Sequence, residues 1–315
     1  MLNYIVKRTL LMIPTLLGVA IISFFLLRVV PGDIVEAKLR GDGAAVTQEL
    51  IDQERKVLGL DRPLSAQFGN WMIGLVTLDL GRSMWTGRPV AEEISVRLPV
   101  SLEVALLGAL AALLVAVPTG TVAALSRGSW WDYAIRLVTI GGLAVPPFWF
   151  GMIVILLLLS VFHWLPTLTY VPIYVDPIAN LSQLVWPALA VGFRLAAIAT
   201  RMVRSTMIEV CTKTISGQHE RRVSIPIWSS SPCAPQRVNP TITVAGLEFV
   251  FLIGGLVVTE QVFNLNGIGQ LFVGAVNNHD FVLIQAIVML TATMFCIVNL
   301  AVDILNATLD ARIRL

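Results

Sequence analysis

The chain has 315 residues, of which 56% are apolar and 13% are charged, with a formal net charge of +2. Soluble domains carry about 25% charged residues, so this composition excludes an ordinary soluble domain and predicts an all-α integral membrane protein. The small net charge argues against a nucleic-acid-binding protein. The three cysteines lack paired spacing and support neither a disulfide framework nor a metal site.

Six segments are apolar over the roughly 20 residues that a helix needs to cross a bilayer. Pro146 and Pro147 interrupt the third segment and Pro187 the fourth, a kind of break that neighbouring helices tolerate. The first segment follows Lys7 and Arg8 and exceeds the roughly 7–15 apolar residues of a signal peptide, so it is predicted to be retained. The six predicted spans are about 9–30, 101–125, 134–161, 183–203, 241–259 and 282–304.

Positive charge in the short loops predicts the orientation, because cytoplasmic loops are enriched in Lys and Arg. The loops 162–182 and 260–281 contain neither residue. Both termini and the loop 204–240 are therefore predicted to be cytoplasmic. The basic residues of that side are Lys7, Arg8, Arg127, Arg136, Arg201, Arg204, Lys213, Arg221, Arg222, Arg237, Arg312 and Arg314.

This orientation divides the chain into four parts. They are an N-terminal transmembrane helix (1–30), a periplasmic segment (31–98), a five-helix core (99–304) and a cytoplasmic tail (305–315). Within the periplasmic segment, 46–58 and 68–80 have helical patterns. The segment is interpreted as a folded cap on the bilayer surface, with a docking surface for an external partner as a compatible function.

Ionisable residues inside predicted spans are candidates for function, because charge at that depth is costly. Arg194 lies near the middle of the fourth span and Glu248 within the fifth. Either they line a translocation path, or Arg194 extends to the interface while Glu248 lies near the cytoplasmic end of its helix. Asn299 and Asp303 share one face of the sixth helix at i, i+4 spacing, which favours a role in helix packing.

Short motifs in a fixed order carry a family resemblance. The set closely resembles the inner-membrane permease subunits of bacterial ABC importers for dipeptides, oligopeptides and nickel, and in particular the first of the two permeases in such systems. The resemblance covers about 1–210 and 241–315. The motif positions are Pro31, Gly32 and Asp33, the stretch 58–64, the stretch 79–83, Arg97 to Pro99, Glu260 to Phe263, Gly267 and Gly269, Asn299 with Asp303, and the ending 310–314.

The resemblance implies a type I ABC importer permease fold that pairs with a homologous second permease within membrane lipid. Two cytoplasmic ATPases would supply energy and a periplasmic substrate-binding protein would deliver cargo, with no nucleic acid involved. The chain has no G-x-x-x-x-G-K-[ST] phosphate loop, so it is predicted to be neither an enzyme nor a cofactor-binding protein. His163, His219 and His279 are isolated and predict no metal or catalytic site.

The expected cargo is di- or oligopeptides, with nickel or another small solute as the alternative. A stand-alone secondary transporter is a rival interpretation, but it needs its own coupling-ion site, commonly on broken helices of an inverted repeat. No such repeat is evident in the sequence. A structural membrane subunit inactivated by an altered loop is a third interpretation.

The resemblance further implies that the loop before the fifth span couples the permease to the ATPase through a short helix pair. Its family signature is D-Y-[IV]-x-x-A-R-A-K-G, followed by H-A-L-R-N-A-L-I-P. The stretch 211–240 departs from this signature and contains three prolines in 226–235, each of which costs about 3 kcal/mol in a helix interior. The candidate coupling residues are Arg204, Ser205, Glu209, Arg237 and Pro240.

A change of reading frame explains the departure. Permissible codons for 211–223, regrouped by one base, encode H-E-D-Y-I-R-T-A-R-A-K-G, and those for 231–240, in the other frame, encode R-H-A-L-R-N-A-L-I. Single-base losses near Val210, Ser231 and Pro240 produce this pattern and leave the loop one residue short. We therefore hypothesise that 211–240 is frameshifted, by a real lesion or a sequencing error, with a divergent loop as the alternative.

Overall fold

The computed structural model describes residues 2–29, 35, 47–57, 61–163, 170–218, 246, 249 and 254–309. Regular structure among these residues is helical, apart from one isolated antiparallel bridge between Arg82 and Pro89. Residues 254–262 are also helical. The helices are α1 (Leu2–Val29), α2 (Gln48–Val57), α3 (Leu64–Thr77), α4 (Val90–Leu125), α5 (Trp130–Ala144), α6 (Pro147–Phe162), α7 (Pro177–Gln218), α8 (Ile268–Asn277) and α9 (Phe281–Leu309).

Four helices of the described chain are long and apolar enough to cross a membrane: Asn3–Leu26, Val90–Leu125, Pro177–Glu209 and Phe281–Thr308. The first overlaps the predicted first span, and the other three contain the predicted second, fourth and sixth spans. The predicted fifth span, 241–259, lies largely outside the described residues. The all-α membrane class predicted from composition is confirmed.

The predicted third span, 134–161, is interrupted at Pro146 and Pro147, as predicted. Helices α5 and α6 pass the same test of length and apolarity together, but they are bent by 104°. Val145 and Pro146 are extended at the junction, and Pro147 is the first residue of α6. Proline lacks an N–H and disfavours a helical conformation in the residue before it, so two consecutive prolines end one helix and begin the next.

The predicted break at Pro187 is wrong, because α7 continues through this residue. A single proline removes one backbone hydrogen bond and can be accommodated where neighbouring helices pack. Helix α7 also extends past the predicted end at 203 as far as Gln218. The first part of the predicted loop 204–240 is therefore helical, and Arg237 and Pro240 lie outside the described residues.

The first compact unit comprises Met1–Arg8, Val100–Leu265 and Phe295–Leu315. Helix α7 packs against both α5 and α6, and the Phe150 and Phe193 rings stack with centroids 4.3 Å apart. The buried apolar core of this unit includes Val100, Val104, Ala105, Ala112, Leu184, Ala190, Val191, Leu195, Ala196, Leu256, Phe263 and Leu265.

Close glycine contacts define how α4 and α7 cross. A Cβ added at Gly192 would lie 2.5 Å from the Gly108 carbonyl oxygen, and one added at Gly120 would lie 2.7 Å from the Val203 Cβ. The contacts advance in the same direction along both helices, so α4 and α7 run parallel. Gly142 of α5 meets Ala197 while Asp132 meets Arg204, so α5 is antiparallel to α7.

The second compact unit comprises Thr9–Pro99 and Asn266–Met294. Its apolar core is formed by α8, the start of α9 and the start of α4: Val90, Ile94, Ile268, Leu271, Ala275, Leu283, Ala286 and Ile287. Helix α3 docks on α1 through aromatic rings, and the Phe24 centroid lies 5.1 Å from Phe68 and 5.7 Å from Trp71. Helix α4 starts well before the predicted residue 101, because Pro89 precedes it and two acidic residues occupy its first turn, both favourable at a helix N-terminus.

Candidate functional site

A buried ion pair joins the start of α5 to the extended part of α7. Asp132 Oδ1 accepts from Arg204 Nε at 2.7 Å, and Oδ2 accepts from Arg204 Nη2 at 2.9 Å. The Gly128 N–H donates to the same carboxylate at 3.1 Å. Asp132 is 0% exposed. Two parallel charge-assisted hydrogen bonds hold an arginine in a defined direction, so this pair locks α7 to α5 beyond the predicted end of the fourth span.

The other predicted coupling residues of α7 follow Arg204 on the same helix. Ser205 is exposed and its hydroxyl donates to the Met202 carbonyl at 3.1 Å. Glu209 is also exposed. Three of the predicted coupling residues, Arg204, Ser205 and Glu209, therefore lie on one continuous helix, which the ion pair with Asp132 fixes at Arg204.

A polar cluster lies in the first unit near the N-terminal end of α7. Asn180 is completely buried, and its Nδ2 donates to Glu103 at 2.7 Å and to the Val171 carbonyl at 2.8 Å. Burial raises the pKa of the Tyr170 hydroxyl, and the neighbouring Glu103 carboxylate raises it further. The cluster ties the connection before α7 to both α4 and α7.

Glu260 is a second buried carboxylate of the same unit. It is 0% exposed, and the Ser101 hydroxyl donates to its Oε1 at 2.6 Å. Because Ser101 and Glu103 are two residues apart on α4, one stretch of this helix contacts both polar groups. Glu260 was predicted as a motif position, whereas Glu103 and Asn180 were not singled out.

The two predicted translocation-path residues have different outcomes. Arg194 lies within the apolar helix Pro177–Glu209 and its side chain is exposed. Glu248 lies outside the described residues. The structure therefore does not test whether Arg194 and Glu248 lie close together.

One of the two motif residues of α9 contacts the N-terminal helix. Asp303 forms an ion pair with Arg8 at 3.0 Å, with side-chain exposures of 27% and 44%. Asn299 lies one turn earlier on α9 and is half-buried. The Arg8 contact links α9 to α1 and is consistent with the predicted role in helix packing.

In the second unit, polar contacts surround a cleft of about 250 Å³. Arg97 pairs with Glu93 one turn earlier on α4, and its Nε donates to Asn266 Oδ1 at 2.8 Å. Asp280 is buried and accepts from the Ser83 hydroxyl. Among the remaining motif positions, Gly267 precedes the first residue of α8 and Gly269 is buried within it, whereas Pro31, Gly32 and Asp33 lie outside the described residues.

Sequence reasoning missed Asp132, although a signal was present. Asp132 is an acidic residue at the edge of a predicted span, where an unpaired charge is costly, and Arg204 was already a candidate. The sequence did not indicate that Asp132 and Arg204 are close in space, because 72 positions separate them. The same limitation applies to Glu103 and Asn180, which are 77 positions apart.

No group of three or more potential metal ligands occurs among the described residues. The buried polar groups found there hold helices together, and the apolar helices define a multi-pass membrane protein. Such an architecture is typical of a membrane transport subunit.

Comparison with known proteins identifies the family. The profile of the binding-protein-dependent transport system inner membrane component matches residues 116–213 and 234–315, and the corresponding N-terminal profile matches 1–105. The chain therefore belongs to the family of inner-membrane permeases of binding-protein-dependent ABC importers, and the predicted resemblance is confirmed. The match is interrupted between 213 and 234, within the stretch predicted to be altered.

Relatives resemble the chain over nearly its whole length. A protein of Brucella abortus strain 2308, named as a peptide transport system permease protein, is 35% identical over 311 residues, which is 98% of each chain. The glutathione transport system permease protein GsiC of Escherichia coli strain K12 is 32% identical over 315 residues, covering 100% of this chain and 99% of that protein.

Proposed function

We propose that this chain is the membrane-spanning permease subunit of an importer for di- or oligopeptides. The observation that carries the cargo class is the near full-length similarity to permeases named for peptide and glutathione transport. Nickel or another small solute, the alternative cargo, is not favoured by these names. The family description, which specifies dependence on a binding protein, disfavours a stand-alone secondary transporter.

The proposed assembly contains this chain, a homologous second permease, two cytoplasmic ATPases and a periplasmic substrate-binding protein. Arg194 supports the second permease, because its side chain is exposed on a membrane-spanning helix of the isolated chain. A charged group facing lipid at that depth is costly, so such groups face a cavity or another protein. We assign Arg194 to the translocation path between the two permeases, with Glu248 as a further candidate.

The proposed orientation places both termini in the cytoplasm and 31–98 in the periplasm. Helices that alternate across a membrane require the second and fourth spans to run parallel, as the α4–α7 contacts do. Arg8 near the start of the first span pairs with Asp303 near the end of the last, as is required if both ends lie on one side. These contacts support termini on one side of the membrane, and the Lys and Arg of the short loops indicate that this side is the cytoplasm.

Coupling to the ATPases is proposed to run through 204–240. The Asp132–Arg204 pair fixes the base of this segment, so a push on the end of α7 is transmitted to α5 as well. The interruption of the family match at 214–233 supports the hypothesis that 211–240 is frameshifted. The chain as written is therefore proposed to couple poorly to its ATPases.

Reconstitution tests the proposal. The chain, with the family signature restored at 211–240, is co-expressed with the second permease and the ATPases encoded beside it, and the complex is purified through a tag on this chain and reconstituted with its binding protein. ATP-driven accumulation of labelled dipeptide or tripeptide is measured, with competition by unlabelled peptide and by Ni²⁺. Competition by Ni²⁺ alone would replace the peptide assignment, and uptake without any ATPase would contradict the importer assignment.

A further inference from the structure

The cleft between the apolar helix α5 and the membrane-spanning helix α7 combines basic and apolar surface. Its volume is about 660 Å³. It is formed within one compact unit, because α5 and α7 both belong to Val100–Leu265. The residues that line it are Arg136, Thr139, Ile140, Leu143, Ile198, Arg201, Met202, Arg204 and Ser205.

The three arginines in the cleft share one nearby carboxylate, Asp132, which bonds Arg204 and also attracts Arg136. Arg204 is neutralised by Asp132. Arg136 and Arg201 are exposed, and within the described ranges neither forms an ion pair with another side chain. The Arg136 guanidinium lies 5.5 Å from the centre of the Tyr133 ring. The basic end of the cleft therefore carries two charges that can bind an anion.

The opposite end of the cleft is apolar. Because α5 and α7 are antiparallel, Arg136 lies at the level of Arg201 and Arg204, whereas Leu143 lies at the level of the residues before Ile198. Seven residues separate Arg136 from Leu143, a rise of about 10 Å at 1.5 Å per residue. Ile140, between them, is 58% exposed. A ligand in the cleft would thus meet positive charge at one end and exposed hydrocarbon at the other.

We propose that this cleft binds one anionic phospholipid, with its phosphate at Arg136 and Arg201 and an acyl chain along Ile140, Leu143 and Ile198. Basic pockets between membrane-spanning helices bind the head groups of anionic lipids. An acidic protein surface, such as that of a cytoplasmic partner, would match the arginines but leave the apolar end uncovered. The combination of both surfaces favours the lipid.

Native mass spectrometry of the full-length chain in detergent tests the proposal. The chain is titrated with dioleoylphosphatidylglycerol, with dioleoylphosphatidylcholine and with glycerol phosphate, which has the anionic group but no acyl chain. One phosphatidylglycerol is expected to be retained in preference to the other two. In R136Q/R201Q its affinity should fall roughly 30-fold, since each basic residue near an anionic surface contributes a factor of roughly five.

Two further variants control for net charge and for folding. K7Q/R127Q removes two exposed basic residues of the same predicted side that do not line the cleft, and it should bind phosphatidylglycerol as the unmodified chain does. I140S keeps every charge, and it should reduce the preference for dioleoyl- over dihexanoylphosphatidylglycerol. This second readout remains available if R136Q/R201Q does not fold.

Several results would overturn the proposal. The proposed lipid site would be contradicted if phosphatidylcholine or glycerol phosphate bound as well as phosphatidylglycerol. It would also be contradicted if K7Q/R127Q lost as much affinity as R136Q/R201Q. If I140S does not change the chain-length preference, the apolar end is not occupied by an acyl chain. Unchanged lipid binding in R136Q/R201Q, together with loss of ATPase co-purification, would identify a protein-docking surface instead.

Discussion

At the residue scale, the ion pair between Asp132 and Arg204 gives the most specific prediction. Asp132 is completely buried, while the Arg204 side chain is 22% exposed. Removing one partner of a buried pair leaves the other charge uncompensated, at a cost of about 3 kcal/mol or more. D132N is therefore expected to lower the unfolding temperature in detergent and to reduce ATP-driven uptake. In a chain with the family signature restored at 211–240, uptake should fall further than protein yield, because the base of the proposed coupling helix is released.

A double-mutant cycle separates the unpaired charge from the loss of packing. D132N/R204Q should be less destabilised than the sum of D132N and R204Q, because the double variant leaves no orphan charge. D303N is the matched control, since its ion pair with Arg8 is partly exposed and such pairs contribute about 1 kcal/mol or less. Equal effects of D132N and D303N would show that burial of Asp132 is unimportant.

Tyr170 gives a pH-dependent prediction. Burial, followed by the Glu103 carboxylate, raises its pKa in the folded chain above the usual value of 10.0. The protonated hydroxyl therefore stabilises the fold fully below about pH 10, and this contribution is lost as the pH rises above that value. Unfolding followed between about pH 8 and 12 should show a shallower alkaline loss of stability in Y170F than in the unmodified chain.

Tyr174 supplies the comparison, because it lies in the same connection and is 85% exposed. Y174F should retain nearly the full alkaline dependence. If Y170F and Y174F behave alike, the environment of Tyr170 does not differ from that of an exposed tyrosine.

The crossing of α4 and α7 carries the prediction at the element scale. Gly192 is where these helices approach most closely, since an added Cβ would meet the Gly108 carbonyl oxygen at 2.5 Å. G192A is expected to destabilise the chain by about 1–3 kcal/mol, because overpacking forces the backbone to shift. G141A should be neutral or stabilising by up to about 1 kcal/mol, because an added Cβ at Gly141 meets nothing within 4 Å.

Thermal unfolding of both variants in the same detergent measures the difference. Opposite signs for G192A and G141A would identify the helix contact as the cause, since both substitutions have the same effect on helix propensity. A stabilised G192A would mean that the two helices do not pack through this glycine.

The same elements show what the sequence could predict. Long apolar runs predicted six spans, and four of them correspond to long apolar helices, because hydropathy is a local property of 20 or so residues. The break at Pro146 and Pro147 was predicted correctly, whereas Pro187 is accommodated within α7, because packing decides between these outcomes. Arg204 was found through a family pattern. Its partner Asp132 could not be found, because their pairing depends on how α5 folds back on α7.

At the scale of the whole molecule, two findings distinguish the membrane-spanning part of the chain from 211–240, which belongs to the segment proposed to couple to the ATPases. Similarity to the Brucella abortus permease covers 98% of the chain, whereas the family profile is interrupted between 213 and 234. A permease that had diverged generally would lose similarity in its spans as well. Local loss, with a recoverable signature in another reading frame, is the pattern that the hypothesised frameshift, whether a lesion or a sequencing error, would leave in the segment proposed to couple to the ATPases.

Restoring the reading frame is therefore expected to restore coupling. Inserting one base near each of Val210, Ser231 and Pro240, where the hypothesis places the losses, returns the signature to 211–240 and leaves the flanking residues unchanged. The affinity for the ATPase should rise roughly 30-fold or more, since a recovered hot-spot contact contributes at least about 2 kcal/mol. Co-purification and ATP-driven uptake by the restored and unrestored chains give the measurement, and a scrambled 211–240 of the same composition is the control. Equal uptake by all three chains would mean that energy enters the permease elsewhere. The Asp132–Arg204 pair, which both reading frames retain, would then have no coupling segment to support.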